Sequence, residues 1–90
     1  MSAKGHKANL ALRPEVRRFA DMMEGRLQQH ETDRDDTWRL MTRADLAVHL
    51  RHAQQQFFDA LAGHAPPVIT RMAAADVANY IMFMVESDHA

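Results

Sequence analysis

The sequence contains no cysteine, which excludes disulfide bonds, thiolate metal sites and cysteine nucleophiles. Charge of one sign is not in excess either, because 11 Lys and Arg residues are nearly balanced by 12 Asp and Glu residues. Binding to nucleic acid or to an anionic membrane surface is therefore not expected. The N-terminus lacks the continuous apolar run of a signal peptide, and we expect a cytoplasmic protein.

Glycine and proline are scarce, with three of each in 90 residues, and they mark where the chain is expected to turn. The alternating apolar and polar pattern of a β-strand is missing, whereas apolar residues recur at helical spacing. An all-α fold with three main helices is predicted. The length allows one domain, which we place at residues 14–87, between a flexible arm at 1–13 and a tail at 88–90.

The first helix is predicted to begin at Pro14, because proline is favoured in the first turn, and to end near Gln28. Its apolar positions are Val16, Phe19, Ala20, Met23 and Leu27. The polar stretch that follows, HETDRDDTWRL, is predicted to be a loop. Its Trp38 and Leu40 are expected to anchor the loop on the core.

The second helix is predicted from the spacing of Thr42 and Asp45, which is that of a capping box. It is expected to continue to about Ala62 and to end at Gly63. Its core-facing stripe is Leu46, Leu50, Ala53, Phe57 and Leu61. A neighbouring polar stripe carries Asp45, His49, His52, Gln56 and Asp59. The arrangement is that of an amphipathic helix with one buried side.

The third helix is predicted from about Pro67 to Ser87, after the turn GHAPP. Asp76 lies in the middle of an apolar face that carries Ile69, Met72, Tyr80 and Phe83. The opposite face is also poor in charge, with Ala74, Ala75, Ala78, Met82 and Val85. Contact along one side would therefore not bury all the apolar surface of this helix. A second chain is the simplest way to bury the other side.

These patterns predict that the second and third helices form an antiparallel hairpin. Two hairpins are expected to form a four-helix bundle across a homodimer, with the first helix laid across it. The residues predicted to form the core or the dimer contact are Leu50, Phe57, Leu61, Met72, Tyr80 and Phe83. The apolar stretch at 65–85 is interrupted by Arg71, Asp76 and Asn79, so a membrane span is not expected.

Two stretches resemble a known family. RMAAADVANYIMFM and, upstream, FADMMEGRLQQHETDRDDTW are similar to the short, phage- and mobile-element-type members of the MazG-like all-α nucleoside triphosphate pyrophosphohydrolases. The resemblance extends from Pro14 to Val85, and its most specific part is ADVAN, from Ala75 to Asn79. It implies a helical enzyme that splits a nucleoside triphosphate into a monophosphate and pyrophosphate.

The resemblance also implies where the chemistry would be. In the family, acids in Glu-Glu-x-x-Glu on the second helix and Glu-x-x-Asp on the third hold magnesium ions over the triphosphate. Carried over residue by residue, the first motif falls on His52, Ala53 and Gln56, and the second on Ala73 and Asp76. Only Asp76 is still an acid, and one carboxylate with neutral neighbours is a poor ligand set for two magnesium ions.

Three functions are consistent with this pattern, and the first is favoured. The chain is a catalytically degenerate relative that acts as a binding or interaction module, with no assigned cofactor. Alternatively, it is an active pyrophosphohydrolase that uses Mg²⁺ or Mn²⁺ on Asp76 with His52, Gln56 and Asp59 as substitute ligands. The third possibility is a structural partner that modulates an intact relative. Candidate nucleotide contacts are Asn79, Arg17 and Arg18.

Single residues carry less specific interpretations. His49 and His52 are spaced to chelate a metal if a third ligand faces them, but solvated neighbours are the favoured interpretation. Asp76 is interpreted as a packing acid, bonded to Tyr80, His52 or Gln56 of either chain of the dimer, in preference to a metal ligand.

Overall fold

The computed structural model describes residues 12–34 and 37–86. It contains α1 (Pro14–Arg34), a 3₁₀ turn (Thr37–Leu40), α2 (Arg43–Ala62) and α3 (Pro67–Glu86). No strand occurs in this part of the chain, so the predicted all-α class with three main helices is confirmed. The predicted arm and tail fall mainly outside the described residues.

Helix α1 begins at Pro14 as predicted, but it continues to Arg34. The predicted end near Gln28 and the interpretation of HETDR as a loop are therefore wrong. Gln28, Gln29 and Glu31 have good helix propensity, and no Gly or Pro interrupts the stretch. Gln28 and Gln29 are exposed, so their polarity marks a solvated helix surface and not a turn.

Helix α2 has the predicted bounds. The Thr42 side chain accepts a hydrogen bond from the Asp45 backbone N–H at 3.1 Å, and the Asp45 carboxylate accepts one from the Thr42 backbone N–H at 3.3 Å. The capping box is thus formed in both directions. At the other end, the backbone N–H of Gly63 donates to the carbonyl of Asp59 at 2.9 Å, which closes the last turn.

In the turn between α2 and α3, the residue with the left-handed backbone conformation is a histidine and not the glycine. Gly63 has a φ of −87°, whereas His64 has a φ of 54°. A left-handed residue after a helix is common, but glycine normally occupies that position. Helix α3 then begins at Pro67 and ends at Glu86; the predicted end at Ser87 lies outside the described residues.

Helix α3 is the central element, because it packs against both α2 and α1, which have little contact with each other. Among the side chains that the structure describes, the buried ones all come from α2 and α3: Leu46, Ala53, Ala75, Asn79 and Phe83. In the predicted apolar stripes, Leu50, Phe57, Met72 and Tyr80 are half-buried. Leu61 and Ile69, at the turn end of the hairpin, are about half exposed, so their predicted burial is not found within one chain.

The second face of α3 is partly covered without another chain. Ala75, which the sequence places on that face, is fully buried, while Ala74, Ala78 and Met82 are half-buried and Val85 is exposed. Helix α1 supplies a second neighbour for α3, so a second chain is not needed to cover all of this face. The predicted dimeric bundle stays a prediction.

The 3₁₀ turn is fastened to α3 by an aromatic contact. The Trp38 ring stacks on Phe83, with centroids 4.2 Å apart and an angle of 8° between the rings, and the Arg39 guanidinium lies 4.6 Å from the Trp38 centroid. The predicted anchoring by Trp38 is confirmed, but Leu40 is 86% exposed. Residues two apart in a 3₁₀ turn point in different directions, so both cannot face α3.

One helix in the described part of the chain, Pro67–Glu86, is long and apolar enough to cross a membrane by length and composition alone. This is weak evidence, since a core helix of a soluble protein passes the same test. Within this helix, Asp76 and Asn79 are hydrogen-bonded to α1. The expected cytoplasmic location stays a prediction.

Candidate functional site

The acid that the sequence singles out, Asp76, is held by an arginine of α1. Arg26 Nε donates to Asp76 Oδ1 at 2.9 Å, and Arg26 Nη2 donates to Asp76 Oδ2 at 2.9 Å. The two side chains are only 17% and 15% exposed. This fork geometry uses both carboxylate oxygens and is the strongest kind of arginine–carboxylate pair.

The surroundings of Arg26 keep its guanidinium charged and oriented. Its Nη1 donates to Gln29 Oε1 at 2.8 Å. The hydrogen bond to Asp76 raises the pKa of Arg26 above its ordinary value, although burial acts in the opposite direction. The stabilisation linked to this shift is present below the ordinary arginine pKa and is lost only in stronger base. His30 Nε2 lies 3.8 Å from Asp76 Oδ1 and adds a second ion pair when protonated.

A second polar contact between α1 and α3 lies next to the ion pair. Asn79 is buried, and its Nδ2 donates to the backbone carbonyl of Met23 at 3.1 Å. Its Oδ1 is buried without a hydrogen-bond partner, which costs about 1–3 kcal/mol. Asn79 and Asp76 are three residues apart, as are Met23 and Arg26, so the two contacts join matching turns of the two helices.

The substitute metal ligands on α2 lie elsewhere. His52 and Gln56 are exposed, and Asp59 accepts a hydrogen bond from Gln55 Nε2 at 2.8 Å. Within residues 12–34 and 37–86, no three His, Asp or Glu side chains lie close enough to hold a metal ion.

The expected partners of Asp76 are corrected by the ion pair. Its bonds go to Arg26 on α1 and not to Tyr80, His52 or Gln56. Tyr80 instead stacks on the His49 ring, with centroids 5.6 Å apart. Within one chain, Asp76 therefore belongs to a contact between α1 and α3, and bonds to a second chain stay a prediction.

The residues at the positions implied by the resemblance do not fit a pair of magnesium ions. Such ions need several carboxylate oxygens, and the one carboxylate present is neutralised by Arg26. Ala53, a further implied position, is buried in the core, and Ala73 is half-buried. Neither alanine has a ligand atom to offer.

The candidate phosphate-binding arginines lie on the exposed side of α1. Arg17 and Arg18 are both exposed. Arg18 lines an open cavity of about 590 Å³ together with Arg71, but Glu15 and Asp21 line the same cavity. Two acids balance the two arginines, so the cavity lacks the excess positive charge that favours a triphosphate.

Arg26 and His30 were missed by the sequence analysis. They lie among Met22, Met23 and Leu27 on the side of α1 that is partly buried. An isolated cation on one apolar helix face and an isolated acid on another are a complementary pair, because neither is stable in such a place alone. That complementarity was the available signal.

Comparison with protein-family models, curated proteins and solved structures found no match to this chain. The MazG-like interpretation therefore continues to depend on the stretches quoted above. Independently of that interpretation, the described residues form an all-α structure in which a partly buried ion pair joins α1 to α3.

Proposed function

We propose that this chain is a MazG-like helical protein that has lost its catalytic acids and acts as a binding or interaction module, not as a nucleoside triphosphate hydrolase. The observation that carries the proposal is the pair of hydrogen bonds from Arg26 to Asp76. The carboxylate that a working relative would turn toward metal is here part of a contact between helices.

Displacing Arg26 from Asp76 is unfavourable. Both oxygens of the carboxylate are occupied, and a departing guanidinium that stays within the helix contact is left as an unpaired, partly buried charge. Breaking a buried pair in this way typically costs about 3–5 kcal/mol, and we expect somewhat less here because both side chains keep some exposure. Binding of Mg²⁺ to this single carboxylate would offset little of that cost, because magnesium prefers several oxygen ligands.

The surface supports an interaction role. Large apolar side chains that are at least about 40% exposed occur on all three helices, and isolated examples are normal on any protein. Here they are Leu12, Val16, Phe19, Leu40, Val48, Phe58, Leu61, Val68, Ile69, Ile81 and Val85. So many in a chain of 90 residues favour a partner, and we propose a homodimer in which the α2–α3 hairpins form a four-helix bundle.

The proposal is tested by measuring pyrophosphate release from each common nucleoside triphosphate, first in Mg²⁺ and then in Mn²⁺. We expect no release above the level of a protein-free control. Asp76→Asn and Arg26→Met are measured in parallel, with helix content checked by circular dichroism.

Two results of this assay would overturn the proposal. Metal-dependent release by the natural chain, lost in a folded Asp76→Asn variant, would mean that Asp76 is a metal ligand. Release that increases in Arg26→Met would mean that Arg26 restrains a site that still works. A flat response in all three proteins supports the interaction module.

A further inference from the structure

The outer face of α2 points away from α3 and is open to solvent. All of its residues are exposed: Ala44, Val48, Arg51, Gln55, Phe58, Asp59 and Ala62. They recur at spacings of three and four, as expected for one side of a helix. We call this set the α2 outer face. The predicted core stripe, with Leu46 and Ala53 buried, lies on the other side.

Two large apolar side chains on the α2 outer face are about half exposed. Val48 is 48% exposed and Phe58 is 57% exposed. Phe58 has one ring neighbour, Phe57, at 5.7 Å, but its other surface is open. Burying a side chain of this size stabilises a contact by about 1.5–3 kcal/mol, so these two positions favour association with another apolar surface.

The charges on the α2 outer face are opposite in sign and symmetrically placed. Arg51 and Asp59 lie four residues before and four residues after Gln55. Arg51 forms no ion pair with any residue that the structure describes. The Asp59 side chain is exposed and accepts a hydrogen bond from Gln55 through Oδ1.

This arrangement matches itself under twofold symmetry. When two copies of a helix pair about a perpendicular twofold axis, they run antiparallel, and a residue before the axis opposes one the same distance after it. Arg51 and Asp59 are centred on Gln55, and Val48 and Phe58 on Ala53. Suppose that the axis lies at the height of Gln54. Because each residue adds 1.5 Å along a helix, the two members of each pair, one from each copy, then differ by about 3 Å in height along the helix axes.

We propose that the α2 outer face binds the α2 outer face of a second copy of this chain, antiparallel, with Arg51 opposite the partner's Asp59 and Phe58 against the partner's Val48. The inference rests on the proposed function only in naming a second copy as the partner of the interaction module. It sets the four helices in a row, with the two α2 helices in the middle, and the four-helix bundle is the rival arrangement that the test distinguishes. An acidic partner would satisfy Arg51 and repel Asp59, and a basic one would do the reverse. A second copy satisfies both charges.

The test is a charge exchange measured by sedimentation equilibrium on the full chain. Arg51→Asp places two like-charge contacts in each dimer, and so does Asp59→Arg. We expect each single variant to raise the dimer Kd by about tenfold, the effect of two modest surface contacts. The double variant, Arg51→Asp with Asp59→Arg, restores the opposite charges and is expected to return to within about threefold of the natural chain.

Arg43→Asp is the matched control, because it makes the same change of net charge on α2 at an exposed position outside the α2 outer face. Its dimer Kd is expected to stay unchanged. Phe58→Ser, with helix content confirmed by circular dichroism, is expected to weaken the dimer more than any single charge change.

The other outcomes separate this inference from the proposed function. A dimer whose Kd is the same in the single and double variants pairs through another surface, which overturns the inference and leaves the interaction module in place. A natural chain that is monomeric at about 100 μM overturns both the pairing and the homodimer. Neither result bears on the absence of hydrolysis, which the pyrophosphate assay tests separately.

Discussion

Helix α3 contacts its two neighbours by different chemistry. Toward α2, the contact is made by buried apolar and aromatic side chains, with Leu46 and Ala53 of α2 buried and the His49 ring stacked on Tyr80. Toward α1, it is fastened by an ion pair and an amide hydrogen bond. The first contact depends on area, which has no preferred direction, whereas the second depends on atoms meeting at hydrogen-bonding distance.

The two contacts therefore contribute to folding in different ways. The apolar α2–α3 contact supplies most of the stabilisation in the described part of the chain, because every buried apolar side chain found there lies on one of these two helices. The polar α1–α3 contact adds less energy but fixes which turn of α1 meets which turn of α3, since a shifted helix would leave charges unpaired. Substitutions in the two contacts are therefore expected to lower the free energy of unfolding by different amounts. They are also expected to differ in whether the effects of two substitutions add.

The largest effect is expected on the apolar side. Leu46→Ala removes a fully buried side chain and is expected to lower the free energy of unfolding by about 2–5 kcal/mol, as measured by urea denaturation. Val48→Ala, two residues away and 48% exposed, is the matched control and is expected to cost less than about 1 kcal/mol in the monomer. Equal losses would contradict the assignment of the core.

The ion pair is expected to have the next largest effect, and a strongly non-additive one. Asp76→Leu leaves Arg26 partly buried without its partner and is expected to cost about 2–3 kcal/mol. The double variant Arg26→Met with Asp76→Leu is expected to recover most of this loss, because no charge is left unpaired. Additive losses in the double-mutant cycle would mean that the two side chains act independently.

The same pair gives a pH prediction. The hydrogen bond to Asp76 raises the pKa of Arg26, so the arginine keeps its charge throughout the pH range in which a free arginine is charged. The coupling energy between Arg26 and Asp76 is thus expected to be the same at pH 7 and at about pH 10. A decline over that interval would mean that another group controls the contact.

The capping box is expected to contribute about 1 kcal/mol. Thr42→Ala removes the oxygen that accepts from the Asp45 backbone N–H, and this class of substitution usually costs about 0.5–2 kcal/mol. Thr42→Ser keeps the hydroxyl and is expected to stay within about 0.5 kcal/mol of the natural chain. Both are measured by thermal unfolding, and an equal loss in the serine variant would argue against a capping role.

The smallest effect is expected at Asn79. Asn79→Leu loses the hydrogen bond to the Met23 carbonyl but also removes a buried oxygen that has no partner. The two changes have opposite effects on stability, so the free energy of unfolding is expected to change by less than about 1 kcal/mol. Asn79→Ala, which leaves a cavity as well, is expected to be the less stable of the two. The reverse order in urea denaturation would show that the amide contributes more than its single hydrogen bond.

The α2–α3 hairpin was predictable because its signals are local. The Thr42 and Asp45 spacing, the Gly63 stop and the Pro67 start each act within one turn of helix, and all are found as predicted. The end of α1 was not predictable from polarity, because helix propensity is the stronger influence there. The predicted anchoring by Leu40, alongside Trp38, is also wrong, because Leu40 is exposed.

The α1–α3 contact could not be predicted by the same means. Arg26 and Asp76 are separated by fifty residues, and no periodicity connects them. The hairpin suggested partners for Asp76 on α2, where His52 and Gln56 were the nearest polar residues along the chain. Only the placement of α1 on α3 reveals the partner, and the polar contacts in that placement are made by Arg26 with Asp76 and by Asn79 with the Met23 carbonyl.

The stacking of Trp38 between Arg39 and Phe83 has a practical consequence. It is the sole tryptophan of the chain, so intrinsic fluorescence senses the attachment of one short connecting turn, while far-ultraviolet circular dichroism senses the three long helices. Following both signals during a single denaturant titration therefore distinguishes detachment of that connector from melting of the bundle. Coincident curves would indicate one cooperative unit, and an earlier change in emission would identify the connector as the first piece to come loose.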